Sequence, residues 1–298
     1  MESSLASLKL GRAAEASPLV VRMLDRLLEA SRGLLHQSFF EANVKWLIRA
    51  GSHGLVVAAA LGFLYAATVA IKADALSPFL YGLGWILAVL LILYVATQFA
   101  GSGESLLKSS PSQLSSLAFL NSFSLIALVF GWLLLLGCLF LAINTEELDF
   151  LWVGLGGFVV CEYLAAIAMN PGLVNVVIHP RISPGEEALG ILSFLLKAVL
   201  RLVPIGFGAG VVIGTLALLF QYVSFLVKDW QPLLALQVAS DPANLILSAG
   251  LLPLTGYVGF LVLYLLINVT RAILAVPIKL DGLARQLPPV GGPGAVHE

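Results

Sequence analysis

Glu162 is the residue whose type and place first suggest chemistry. It stands near the centre of an apolar block over 150–169, where an ionised carboxylate costs several kcal/mol. No other acid or base lies at comparable depth in an apolar block. Without a counter-ion such a carboxyl is expected to be protonated, and a protonated acid can donate a hydrogen bond to a neighbouring helix. Thr215, Tyr264 or a main-chain carbonyl is the expected acceptor. Two roles compete. Glu162 could handle protons or cations in a transport path at the membrane midplane, or it could be interhelical glue. One acid with no basic partner favours glue.

Other chemistry finds little support. The sequence has no Walker A loop, HExxH pair, GxSxG elbow or zinc-type Cys/His spacing. His36, His53, His179 and His297 are scattered, with no second ligand at i+3 or i+4, so no metal is expected. Cys138 and Cys161 both fall in apolar blocks, where cysteine acts as a small packing residue. No cofactor, no catalytic residue and no nucleic-acid partner is expected. Gly206, Gly210 and Gly214 form a stripe of small residues four apart, which lets another helix approach closely; a helix of the same chain is the favoured partner. Asn170-Pro171-Gly172 and His179-Pro180-Arg181 read as a structured turn rather than a ligand loop.

The elements that must hold these residues follow from composition. Of 298 residues, 59% are hydrophobic and 11% charged, against roughly 45–50% and about 25% in soluble domains. So little charge cannot cover a water-soluble body. The apolar residues gather in six blocks, 53–71, 78–100, 118–143, 150–169, 205–227 and 251–276. A hydrocarbon core of about 30 Å needs some 20 residues of helix, and barrel strands would be shorter and alternating. The expectation is an all-α polytopic transmembrane bundle of six spans. Residues 1–50 form an amphipathic cytoplasmic or interfacial region, 51–278 the membrane domain and 279–298 a flexible tail.

Within the first region, residues 18–37 place Met23, Leu24, Leu27 and Leu28 on one side and Arg22, Asp25, Arg26 and Glu29 on the other. That pattern suits a helix lying on a membrane or partner surface. The stretch 183–203 carries Glu186, Glu187, Lys197 and Arg201 and ends at Pro204. It is expected to be a separate interfacial helix before the fifth span. Five dipeptides mark expected helix starts: Ser17-Pro18, Ser77-Pro78, Ser110-Pro111, Ser183-Pro184 and Asp241-Pro242. Ser110 with Gln113 and Ser183 with Glu186 have capping-box spacing.

Six spans put both termini on one side. With that side inside, only Lys72 and Lys228 of the 16 basic residues fall outside, a strong positive-inside bias. The bacterial cytoplasmic membrane, with both ends in the cytoplasm, is the expected location. The functional expectation is a non-catalytic scaffold, assembly factor or subunit of a membrane complex, in contact with lipid and with a protein partner or further copies of itself. The alternative is a small channel or transporter for protons, cations or a small solute, with Glu162 as its polar site.

Overall fold

A computed structural model describes residues 37–179, 182–228 and 231–286, with Met23, Arg26, Leu28 and Glu29. The amphipathic helix expected over 18–37 otherwise lies outside the described residues. Leu28 is buried against Ala127, Leu128 and Ala165. The described chain is almost entirely helical. α1 spans Gln37–Ala73, α2 Leu76–Ser109, α3 Leu117–Thr145 and α4 Asp149–Met169. α5 runs over Pro184–Val227, the short α6 over Pro232–Val238 and α7 over Ser240–Gln286. Six of these, all but α6, are long and apolar enough to cross a membrane.

α1, α2, α5 and α7 form one body. Its core holds Leu55, Tyr65, Val89, Phe207, Val211, Phe225 and Ile246, with Ala235 of α6 at one end. Glycines set the close approaches. On α5, Gly206 faces Leu252, Gly210 faces Ala249 and Gly214 faces Ile246, all on α7. The stripe is therefore used within the chain. The opposite side of α5 meets α1, where Gly208 lies against the Leu47 carbonyl and Gly54 against Val211. On α1, Gly62 leaves the Ala58 carbonyl unshielded, and the Trp85 indole of α2 donates to it at 2.9 Å.

α3 and α4 form an antiparallel hairpin that packs almost wholly on itself. Cys161 sits over Gly131, and Cys138 over Gly154. Both thiols are free and buried. The hairpin joins the rest of the chain near its open end, where Leu114, Leu120, Ile167 and Ala168 pack on Phe194 and Ala198 of α5.

Two segments connect these bodies. β1 (Ser112–Leu114) follows α2, and β2 (Val176–Ile178) follows α4 through a 3-10 turn at Pro171–Val174. The strands pair in parallel, with Ser112 opposite Val176 and Leu114 opposite Ile178.

Several expected boundaries move. Ser183 does cap α5: its Oγ accepts from the Glu186 amide at 3.3 Å, and the Glu186 carboxylate accepts in return, completing the capping box. Ser110 caps no helix start. It ends α2, its Oγ donating to the Leu106 carbonyl at 2.6 Å. The N-cap of α3 is Ser116, which accepts from the Phe119 amide at 3.1 Å. α2 begins at Leu76, just before the expected Ser77.

The break expected at Pro204 is also absent, for 183–203 and the fifth apolar block form one helix of 44 residues. A mid-helix proline costs ~3 kcal/mol. Packing holds the helix on both sides of it, Leu200 against Leu107 and Phe260, and Phe207 against Gly51. α7 likewise continues past Lys279 to Gln286.

Candidate functional site

Where a separate interfacial helix was expected, three of the four charged residues of α5, Glu187, Lys197 and Arg201, lie on the side of the helix that packs on the protein. Glu187, Gly190, Phe194, Lys197 and Arg201 recur at steps of three and four residues, so they share one side of the helix. The Glu187 carboxylate accepts from the Ser115 amide at 2.6 Å, the Ser115 hydroxyl at 2.5 Å and the Ser116 amide at 2.9 Å. An anion here meets amides at the start of α3 that have no intrahelical partner. Gly190 lies directly under the Gln113 carbonyl of β1, leaving no room for a side chain.

Lys197 is fully buried. Its ammonium donates to the Ser110 carbonyl, to Ser112 Oγ at 2.6 Å and to the Asn175 carbonyl at 3.3 Å. All three protons are thus placed, and none goes to a carboxylate. A buried lysine is tolerated when its donors are satisfied, and here the acceptors are the irregular stretches between helices. Asn175 adopts a left-handed conformation, φ 52°, which an asparagine accepts more readily than most residues. Its side chain donates to the Lys108 carbonyl at 2.8 Å. One lysine and one asparagine therefore tie the end of α2 to the turn after α4.

A cavity of about 300 Å³ opens beside this knot, walled by Glu41 and Lys45 of α1, Glu104 and Lys108 of α2, Asn175 and Arg201. Lys108 pairs with Glu104 at 2.9 Å, and Glu41 is also engaged. Lys45 and Arg201 have no ion-pair partner within 4 Å among the described residues. Helix length gives the height of the cavity. Lys45 to Ala73, Leu76 to Glu104 and Arg201 to Val227 are each roughly 27 residues, about 40 Å of helix. Those far ends meet, for the Lys72 ammonium donates to the Phe225 carbonyl at 3.3 Å. The interval matches a bilayer from headgroup to headgroup, about 40–45 Å.

The residues singled out from the sequence are not brought together. Thr215 donates to the Val211 carbonyl at 2.7 Å and to the Gly54 carbonyl at 3.3 Å, so it serves the α1–α5 contact. Tyr264 stacks on Phe260, ring centroids 5.2 Å apart. Glu162 has no hydrogen bond or ion pair among the described residues, and the expected link to Thr215 or Tyr264 is not made. Its neighbour Tyr163 packs edge-on against Phe40, ring centroids 4.8 Å apart, with Asn43 in hydrogen-bonding reach of its hydroxyl. That sets Glu162 at the height of the first turns of α1, rather than of its middle near Leu55.

Among the described residues no three metal-ligating side chains cluster. His53 Nδ1 lies 2.7 Å from the Arg49 carbonyl. The His179 amide donates to Leu114 at 2.8 Å, extending the strand pair. Pro180 and Arg181 lie outside the described residues.

No family model matches the chain, and neither a curated protein nor a solved structure matches it.

Proposed function

We propose that this chain is a non-catalytic component of a membrane complex: a scaffold, an assembly factor or a subunit, carrying its own helices in the bilayer and offering the α3–α4 hairpin to a partner. The observation that carries this reading is the hairpin's one-ended attachment. Phe130, Trp132, Phe140 and Trp152 are exposed along it, and its contacts with α5 gather at the Leu120–Ala168 end. Glu162, also on this arm and without a hydrogen bond among the described residues, would find its hydrogen-bond partner on the other protein. The most deeply buried charge among the described residues, Lys197, is committed to holding the segments after α2 and α4 rather than to a substrate. The second reading, a channel or transporter working through Glu162, draws less support. The cavities beside Lys45 and beside Trp85 are not lined by Glu162.

Purification in mild detergent is the first test. A stoichiometric second protein is expected, and its loss on Glu162→Ala but not on Glu162→Gln, since Gln keeps a donor and an acceptor. A chain that purifies alone and carries proton or cation flux in liposomes, abolished in Glu162→Gln, would replace this reading with the transport one.

The proposed location is the bacterial cytoplasmic membrane, with both termini in the cytoplasm, as the positive-inside bias indicates. Ser105→Cys and Gly185→Cys should then be shielded from a membrane-impermeant thiol reagent in intact cells. Thr145→Cys and Ser240→Cys should react. All four positions are exposed, so the reverse pattern would place the termini outside.

A further inference from the structure

The charged cavity has the chemistry of a phosphate site at the membrane surface. Its volume, about 300 Å³, is at the lower end of small-molecule pockets, roughly 300–1,000 Å³. Glu104 pairs directly with Lys108 and attracts Lys45 and Arg201 only from further off, so these two cations, with no ion pair within 4 Å among the described residues, face one space from different helices. A guanidinium presents a planar fork that matches two phosphate oxygens, and a lysine adds a mobile point charge. The walls are fixed from behind, because Lys197 and Asn175 hold the end of α2 against the turn after α4.

The cavity also opens toward an apolar crease. Val44, Glu104, Leu107 and Arg201 line both the cavity and a narrow crevice of about 30 Å³ that runs on to Phe99, Pro204 and Pro253. The crevice is too small to swallow a chain but can seat one laid along the outside of the helices. Polar cavity and apolar crease meet at the height where helix length puts the headgroups.

We propose that the cavity between Lys45 and Arg201 binds the phosphate group of a glycerophospholipid, whose acyl chains lie along the crease beside Phe99 and Pro204. The lipid would be a stoichiometric, structural one, wedged between α1, α2 and α5, and distinct from the lipid that surrounds any membrane protein. This does not depend on the identity of a protein partner.

The experiment uses the full chain, stripped of lipid by detergent exchange. It is titrated with dioleoylphosphatidylglycerol and followed by native mass spectrometry and thermal unfolding. One lipid per chain should be retained, with a rise in Tm. Arg201→Gln and Lys45→Gln should each weaken retention about tenfold, the loss of one charge-assisted hydrogen bond. Lys228→Gln, at the opposite end of α5, should bind as the wild type does. Lys45 is exposed, so its variant decides the matter should Arg201→Gln misfold. Dioleoylglycerol, which lacks the phosphate, should not be retained. Equal retention of dioleoylglycerol, or of phosphatidylglycerol by both variants, would overturn the proposal. Inorganic phosphate that raises Tm as much as the lipid would overturn the lipid assignment and leave a free-anion site.

Discussion

Lys197→Met should be among the most damaging single substitutions in the chain. Methionine fits the volume and removes the cost of burying an ammonium, so a lysine that merely filled space would be replaced without loss. Here the ammonium satisfies the Ser110 and Asn175 carbonyls and the Ser112 hydroxyl. The Asn175 carbonyl keeps the Ser112 amide at 3.2 Å, but the Ser110 carbonyl and the Ser112 hydroxyl lose their donor, and each acceptor left buried and unpaired costs about 1–3 kcal/mol. The expected loss is roughly 2 kcal/mol or more, a large share of the about 5–15 kcal/mol that holds a typical domain. The damage should also be local. The β1–β2 pair and the segment 110–116 should open first, because Gln113 rests directly on Gly190 and Leu114 is fully buried. Limited proteolysis in detergent reads this directly: cleavage within 110–116 should speed up at temperatures where α1 and α7 stay intact. Lys197→Met unfolding at the wild-type temperature, with no new cleavage, would show that the three contacts contribute nothing.

That lysine also marks where sequence reasoning stopped. The six long helices were legible because an apolar block of about 20 residues has few alternatives in lipid. The Ser183 capping box and the glycine stripe were legible because their determinants are local. The 183–203 stretch was harder. Its Glu187, Lys197 and Arg201 show the same three-and-four spacing whether water or protein covers them. Period alone reports a shared face and not what faces it. What decides is the pair of irregular segments after α2 and α4, which need donors and an anion and are distant in sequence from α5. Ser110-Pro111 misled for a related reason. Ser-Pro before a helical pattern is a sound start signal, but the Ser110 carbonyl and Ser112 hydroxyl are taken by Lys197, and the start passes to Ser116. Glu162 stands out in the sequence by its place in an apolar block. The depth it implies shifts once Tyr163 is seen to meet Phe40 near the start of α1.

The glycine stripe should fail in graded fashion, and the gradient is the test. A Cβ at Gly206 would meet the Leu252 Cδ1 atom at 2.9 Å, the far end of a flexible side chain that can rotate aside. At Gly210 it would meet the Ala249 Cβ at 2.6 Å, which moves only with the α7 backbone. At Gly214 it would meet Ile246 Cγ1 at 2.7 Å and the Pro242 carbonyl at 3.3 Å, in the first turn of α7. Gly206→Ala should therefore be nearly neutral, since alanine is the better helix former by about 1 kcal/mol. Gly210→Ala and Gly214→Ala should be destabilising by about 1–3 kcal/mol through overpacking. Gly210→Leu is expected to push α5 and α7 apart along their whole contact, because a side chain of that size has no rotamer clear of Ala249. Ala249→Gly should partly rescue Gly210→Ala by removing the atom it strikes, a coupling that a double-mutant cycle measures. Thermal unfolding in one detergent for all six variants, the Gly210→Ala/Ala249→Gly double variant included, gives the comparison. Equal losses at 206, 210 and 214, or no rescue by Ala249→Gly, would mean that the stripe is not the α5–α7 contact and that its partner is another chain.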